Sequence, residues 1–173
     1  MSTPASGFKR IVCPVDGSEP SNAAIDLAIA LAKQHGGHIA FCHSIDLAAV
    51  AAEATTPYGV SDLSPALDAL NEGAQEILGA AALSAARAEV PCTCAQLEGR
   101  PETAIVRFAV ARNADAIVMG TQGKRGLERL LLGSTAEGVM RTASIPVVVV
   151  HGREDAAGPR RTGAKDTTAA TVR

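Results

Sequence analysis

Aromatic side chains are almost absent from this sequence, which has one Tyr, three Phe and no Trp among its 173 residues. Nucleic-acid bases stack on aromatic rings and need a basic surface, whereas this chain balances 16 Lys and Arg against 18 Asp and Glu. We therefore expect no nucleic-acid partner. A hydrophobic core must be built from Ala, Val, Ile and Leu.

Long apolar runs are also missing. No run of eighteen or more apolar residues occurs, and residues 1–10 contain no apolar signal core. The sequence therefore predicts no membrane partner and a cytoplasmic location.

The four cysteines lie inside apolar or strand-like runs and lack the loop positions of a disulfide framework, so we expect reduced thiols. One residue separates Cys92 from Cys94, whereas zinc sites favour two or more intervening residues and need further ligands. The histidines have no cysteine or carboxylate at ligand spacing. We therefore predict no metal site and interpret Cys92 and Cys94 as small buried hydrophobic residues.

Strand-like and helix-like segments alternate along the chain. Apolar runs predict strands at residues 10–15, 38–43, 92–97, 114–118 and 145–150, and apolar positions at helical spacing predict helices near residues 20–35, 64–89, 101–110 and 134–143. The strands are too uniformly apolar to have a solvated face. This pattern predicts a doubly wound α/β domain with a parallel sheet covered by helices on both faces.

The length fits one domain. We interpret residues 1–8 as a flexible N-terminus, residues 9–151 as the domain and residues 46–63, which show no clear period, as a mobile connection. Residues 152–173 contain a single Val and cannot bury enough surface to offset the cost of ordering, so they are predicted to be a disordered tail.

A glycine-rich segment follows the fourth predicted strand. Gly120, Gly123 and Gly126 precede Gly133, and the basic pair Lys124-Arg125 lies between them. Glycine lets another molecule approach the backbone closely, so glycines beside basic side chains predict a bound anion such as phosphate. The alternative is a long flexible loop before a helix. The spacing matches neither the Walker loop nor the dinucleotide-binding pattern.

The glycine spacing resembles that of the universal stress protein family, in its ATP-binding branch. Gly120 is followed after two residues by Gly123 and after nine more by Gly133-Ser134, and the stretches IVCPVDGSEPS, GRPETAIVRFAVARNADAIVMG and IPVVVV extend the resemblance over about residues 9–150. It implies a five-stranded parallel sheet in the order 3-2-1-4-5. Strands one and four are then neighbours where the strand order reverses, and ligands bind at such a switch point.

The resemblance implies ATP as the ligand, optionally with Mg or Mn. Pro14, Val15 and Asp16 are implied to lie near the adenine and ribose, and the backbone of Ser44 is implied to contact the adenine. The rest of the implied nucleotide-binding set follows the fourth strand: Met119, Gly120, Thr121, Gln122, Gly123, Lys124, Arg125, Gly133, Ser134 and Thr135. Gln122 stands where the family often has His.

Structural roles remain open for several of these residues. Ser134 and Glu137 fit a capping box, in which the hydroxyl serves its own helix. Asp16 fits a cap of the first helix. Lys124 and Arg125 fit solvated loop charges.

The resemblance implies a nucleotide-dependent stress-response or signalling module with at most slow ATP hydrolysis. No nucleophile–base pair is visible, so no catalytic residue is assigned. The alternative is an adenine-nucleotide enzyme that performs adenylation or phosphoryl transfer.

The last predicted strand is apolar throughout and lies at the sheet edge in the implied order. Exposed edges invite pairing, so we expect a homodimer through Val147, Val148, Val149 and Val150, as the family commonly forms. The alternative is that Pro146 and the tail protect this edge.

Overall fold

The computed structural model describes residues 7–56, 59–60, 62–121 and 132–152. Its elements in chain order are β1 (Arg10–Pro14), α1 (Glu19–His35), β2 (His38–Ile45), α2 (Leu47–Ala54), β3 (Thr55–Thr56), β4 (Gly59–Val60), α3 (Ser64–Arg87), β5 (Cys92–Glu98), α4 (Pro101–Ala111), β6 (Ala116–Gly120), α5 (Ser134–Thr142) and β7 (Val147–Val150). Apart from Gly152, the predicted disordered tail lies outside the described residues, as do residues 1–6 of the predicted flexible N-terminus.

A five-stranded sheet organises the molecule, with the strand order β5-β2-β1-β6-β7. Each neighbouring pair is parallel. Counting these five strands in chain order gives 3-2-1-4-5, so the predicted order is confirmed. The order reverses between β1 and β6, which places a switch point at their carboxyl ends.

Helices cover both faces of this sheet. Because successive residues of a strand point to opposite faces, Ile11 belongs to the core under α1 and α3, whereas Val12 belongs to the core under α4 and α5. Both side chains are at most 1% exposed. The predicted doubly wound α/β fold is confirmed.

Helix α1 has a defined beginning and end. The Ser18 side chain caps its N-terminus by accepting a hydrogen bond from the Ser21 N–H. Gly36 ends the helix in the left-handed conformation, with φ of 61°. The predicted glycine stop therefore lies at the residue where the chain turns toward β2.

Residues 46–63 differ from the mobile connection that the sequence predicts. They include the helix α2 and the short antiparallel pair of β3 and β4. None of the side chains of residues 47–52 is buried, and Leu47 is 39% exposed. A helical period reflects a buried face, so α2 has no period for the sequence to display.

The longest helix, α3, spans 24 residues. Its buried residues are Ala74, Leu78, Ala81 and Ala85, whereas its exposed surface includes acidic side chains. In the described part of the chain, no helix combines the length and the apolarity needed to cross a membrane.

The cysteines occupy different environments. All four are free thiols. Cys13 and Cys42 are fully buried, and burial raises the pKa of both, that of Cys42 to about 12. The interpretation of the other two as buried was wrong, because Cys92 is half-buried and Cys94 is exposed. The edge strand β5 has no neighbour on its outer side to cover them.

Asp115 joins the beginnings of β1 and β6. Its carboxylate accepts hydrogen bonds from the N–H groups of Lys9 and Arg10, at 3.1 and 2.9 Å, and from the Arg10 guanidinium at 2.7 Å. Burial by itself would raise the pKa of Asp115, but the hydrogen bonds and charge of Arg10, with the Lys9 N–H, outweigh burial and lower it. The folded state therefore stabilises the ionised carboxylate of Asp115 relative to its protonated form.

We expect Asp115→Asn to lower the free energy of unfolding at neutral pH by about 1 to 3 kcal/mol, the range for hydrogen bonds to charged groups. The amide is isosteric, but it cannot accept hydrogen bonds on both of its polar atoms. A lowered folded pKa stabilises above the ordinary aspartate pKa, and that contribution is lost as the pH falls through the folded value. Urea unfolding of both proteins between neutral pH and about pH 3 should show the difference shrinking below about pH 4. A difference that is constant over this range would contradict the assignment.

Candidate functional site

The carboxyl ends of β2, β1 and β6 lie side by side at one edge of the sheet. Helix α1 begins five residues after β1 ends, and α5 begins beyond β6, so both helix N-termini lie at this edge. Nearly all the described residues that the sequence links to a ligand lie on these five elements or in the turns between them.

The end of β1 is held firmly by β2. The N–H of Val15 donates to the carbonyl of Cys42 at 2.8 Å. Nδ1 of His43 lies 2.7 Å from the Val15 carbonyl and donates to it in the tautomer that carries the proton on Nδ1. Pro14 and Val15 thus lie at the carboxyl end of β1. The contact of His43 was missed, since its only signal in the sequence is its place near the end of a strand.

Asp16 organises the turn into α1. Its Oδ1 accepts hydrogen bonds from the Ser18 N–H at 3.0 Å and the Ser18 hydroxyl at 2.6 Å, and Gly17 adopts φ of 75°. The Asp16 N–H donates to Ser21 Oγ at 3.2 Å. Ser18, not Asp16, is the N-cap of α1. Asp16 therefore supports the cap from one residue further out.

Ser44 lies on β2, two residues beyond Cys42, which pairs with Pro14. Its hydroxyl donates to the carbonyl of Gly99 at 3.1 Å. The side chain is therefore occupied by the turn after β5, and the backbone of Ser44 is at the same sheet edge as Asp16.

Gly120 ends β6 directly under the first turn of α1. A Cβ at this position would lie 2.8 Å from the Pro20 carbonyl carbon and 2.9 Å from the Ser21 nitrogen. Met119 and Thr121 on either side are buried. The structure thus gives Gly120 a packing role that the phosphate interpretation did not include.

The backbone of Thr121 joins three elements. Its N–H donates to the Val150 carbonyl at 2.8 Å, and its carbonyl accepts from the Gly133 N–H at 2.7 Å. The hydrogen bond between Gly133 and Thr121 therefore joins the residues on either side of the glycine-rich segment. Gln122, Gly123, Lys124 and Arg125 lie outside the described residues.

Helix α5 begins without a side-chain cap. Gly133 is its N-cap, with extended backbone, and in the part of the chain that the structure describes no side chain accepts a hydrogen bond from the first turn. The capping-box interpretation of Ser134 was wrong, because Ser134 is the first helical residue. The Glu137 N–H is the first to bond within the helix, to the Gly133 carbonyl. The N–H groups of Ser134 and Thr135 thus have no intrahelical acceptor, which is the condition under which a helix N-terminus binds an anion.

Within the described ranges, no group of three or more His, Cys, Asp or Glu side chains is placed to hold a metal ion. The site instead offers backbone N–H groups and hydroxyls on fixed elements. Such groups can donate hydrogen bonds to an anion.

Comparison with known proteins gives a consistent result. The model of the universal stress protein family matches residues 7–151. A universal stress protein of Methanocaldococcus jannaschii is 40% identical over 146 residues, which cover 83% of this chain and 82% of the relative.

Solved structures share the fold. A hypothetical protein with a structure-based functional assignment aligns with a TM-score of 0.72 and 24% identity, over 85% of this chain and 98% of its own. A universal stress protein in complex with cAMP aligns with a TM-score of 0.61 and 23% identity, over 86% of this chain and 100% of its own. The universal stress protein from Archaeoglobus fulgidus in complex with dAMP aligns with a TM-score of 0.59 and 23% identity, over 83% of this chain and 97% of its own.

We expect Gly120→Ala to lower the free energy of unfolding by about 1 to 3 kcal/mol, because the added methyl group meets backbone atoms of α1 that cannot rotate away. The matched control is Gly79→Ala in α3, where a Cβ would meet nothing within 4 Å. That change should stabilise by about 0.5 to 1 kcal/mol through helix propensity. Denaturant unfolding measures both, and equal effects of the two substitutions would contradict the packing role of Gly120.

Proposed function

The chain belongs to the universal stress protein family, and on that premise we propose that it binds ATP at the switch point between β1 and β6. The adenine and ribose would lie at the ends of β1 and β2, near Val15, Asp16 and Ser44. The phosphates would lie at the N-terminus of α5.

The observation that carries this proposal is the contrast between the two helix N-termini at this edge. The N-terminus of α1 is served by Ser18 and flanked by the Asp16 carboxylate, which would repel phosphate. Among the described residues, the N-terminus of α5 has no side-chain cap, and the carboxylate in its first turn is that of Glu137, three residues after Ser134. An anion is therefore favoured at α5, and the neutral part of a nucleotide at β1.

The structural neighbours support an adenine nucleotide as the ligand class. One of them is in complex with cAMP and another with dAMP. The extension to a triphosphate rests on the glycine spacing, because two more phosphates need backbone donors beyond those of a helix N-terminus.

We propose a binding and signalling role in the stress response, with hydrolysis that is slow at most. Among the described residues at this edge, Asp16 bonds to Ser18 and Nδ1 of His43 contacts a backbone carbonyl. The Ser18 hydroxyl that donates to Asp16 also accepts the capping hydrogen bond from the Ser21 N–H, so both contacts serve the structure of the turn. An accompanying Mg²⁺ or Mn²⁺ would bind through phosphate oxygens, because the described side chains form no ligand cluster.

We expect Ser134→Asp to weaken ATP binding by at least about tenfold. A carboxylate in the first turn of α5 would repel the phosphates, while it favours the helix dipole and so preserves stability. The matched control is Thr103→Asp, which places the same charge in the first turn of α4 at an exposed residue. Isothermal titration calorimetry gives both affinities, and thermal unfolding checks that both variants fold.

Equal affinity of Ser134→Asp and the unmodified protein for ATP would place the phosphates elsewhere. Adenosine provides a second comparison, since it lacks phosphate. Its affinity should be unaffected by Ser134→Asp, whereas a loss for both ligands would indicate a distorted site.

We further propose that the protein forms a homodimer through β7. This strand pairs with β6 on one side only, and all four of its residues are half-buried. Val148 and Val150 pack on the core under α1, and Val147 packs on the core under α5. Val149 packs on neither core of the described residues. A second copy of β7, related by a two-fold axis, would pair the free edge and cover Val149.

The proposed dimer edge is connected to the proposed phosphate site. Thr121 bonds to Val150 of β7 through its N–H and to Gly133 of α5 through its carbonyl. A ligand that orders the start of α5 would therefore also act on the edge strand. Coupling of this kind is reciprocal, so dimer affinity should depend on ATP if ATP affinity depends on dimerisation.

We expect Val149→Lys to convert the dimer to monomer at micromolar concentration without loss of fold. The added charge lies on the edge and outside both cores, and lysine is the residue that natural edge strands use against pairing. Thr93→Lys is the matched control, because Thr93 is exposed on β5, the opposite edge strand. Light scattering with and without ATP measures both. A Val149→Lys protein that remains dimeric would exclude the β7 interface.

A further inference from the structure

A groove of about 350 Å³ lies between α1 and α3, beside the turn that follows β1. Its lining includes the apolar residues Ile25, Ile77 and Ala81, and the polar residues Asn22 and Glu76. It is thus an amphipathic channel, with room for extended chain or for the stem of a long side chain.

An acidic stripe of α3 meets the groove at Glu76, which lines it, and its other two carboxylates lie beyond the lining residues. Asp68, Glu72 and Glu76 are exposed and four residues apart, so they lie along one side of the helix. Like charges at this spacing destabilise a helix. Within the described ranges, the ion pairs are Arg10–Asp115 and Arg100–Glu102, and neither involves this stripe. A cation from elsewhere would relieve the repulsion.

The chain leaves the described residues beside this groove. A Cβ at Gly152 would overlap the carboxylate of Glu19 and lie 3.3 Å from Pro20 Cγ. Gly17 and Asn22, on either side of these two α1 residues in sequence, line the groove. The last described residue therefore lies at the same end of α1 as part of the groove lining.

A basic stretch follows Arg153, Glu154 and Asp155 and has the complementary charge. Residues 156–165 read AAGPRRTGAK and contain Arg160, Arg161 and Lys165 with no acidic residue. Arg160 lies eight residues beyond Gly152, which is about 26 Å of extended chain. For comparison, the lining residues 76–84 of α3 span about 12 Å of helix axis. The arginines can therefore reach along the groove.

We propose that residues 156–165 dock in the groove between α1 and α3 of their own chain, with Arg160, Arg161 and Lys165 opposite Asp68, Glu72 and Glu76. The arginine stems lie on the apolar lining and their charged ends face the carboxylates. Charge holds the segment, because it has no large apolar side chains, and docking is therefore sensitive to salt. Docking also brings the segment against Gly17, in the turn that borders the candidate site. Docking of residues 156–165 does not require the proposed nucleotide to be bound.

Zero-length carbodiimide cross-linking of the full chain tests this placement, since the reagent joins an amine to a carboxylate only in direct contact. Lys165 is the reporter. We expect peptide mass spectrometry to find Lys165 joined to Glu72 or Glu76. The yield should fall at least about fivefold between 0.01 M and 1 M salt, as the screening length drops from about 30 to about 3 Å. Mixing isotope-labelled and unlabelled protein separates links within one chain from links between copies.

The decisive variant is Arg160→Gln with Arg161→Gln, which removes the docking charges and keeps the reporter lysine. It should lower the Lys165 cross-link yield at least about threefold, since two of the three cations are lost. Arg153→Gln with Arg173→Gln is the matched control outside the segment and should leave the yield unchanged.

Three results would overturn the proposal. Lys165 could be cross-linked to Glu89 and Glu98 as often as to Glu72 and Glu76, which would indicate that residues 156–165 have no preferred position. The links could occur only between isotopically different copies, which makes the occupant a second molecule. Finally, Lys165 could form no link while an amine-reactive label shows that it is accessible.

Discussion

The hydrogen bond between the Gly133 N–H and the Thr121 carbonyl, 2.7 Å long, is the contact on which the ligand edge of the sheet depends. It closes the chain between β6 and α5, and closing such a segment costs conformational entropy that other contacts must offset. The buried position of Thr121, 6% exposed, keeps water from competing for this bond. The second bond of Thr121, to Val150, places the edge strand in the same unit. The start of α5 and the end of β7 are consequently fixed by one residue whose side chain is not needed for either bond.

The five strands of the main sheet and four of the helices could be predicted from the sequence because their apolar positions report burial, whereas β3 and β4 were not predicted. The strand order could not, since periodicity contains no information on which strands are neighbours, and it came from the family resemblance. Helix α2 shows the opposite limit. None of its residues 47–52 is buried, so the apolar sequence of this helix has no alternation with polar residues and no period. A prediction that relies on the pattern of buried residues fails for a helix whose described side chains are not buried.

At the site, the residue types were predictable and some of their reasons were not. Gly120 was found from its spacing to other glycines, yet the close neighbours of its backbone are Pro20 and Ser21, about a hundred residues earlier in the chain and beyond the reach of any local pattern. The pattern of Ser134 and Glu137 fits a capping box, but the bond from Gly133 to Thr121 makes Gly133 the extended N-cap and moves Ser134 into the helix. A tertiary contact thus overrides a local one. His43 had no local signal because its partner, the Val15 carbonyl, lies 28 residues away.

The scarcity of aromatic residues is connected to how this edge is built. The buried face of α1 has Ala24, Ala28 and Ala32 at four-residue spacing, each at most 1% exposed. Side chains this small let the helix lie close to the sheet, and Gly120 completes the same approach where α1 begins. On the other face, Gly138 of α5 lies so near α4 that a Cβ would come within 2.7 Å of Glu102 Cβ. Large rings at such positions would separate the helices from the strands and draw the two helix N-termini away from the switch point. A core of small aliphatic residues is therefore a requirement of the proposed cleft, in which β1, β6 and α5 would contact one ligand.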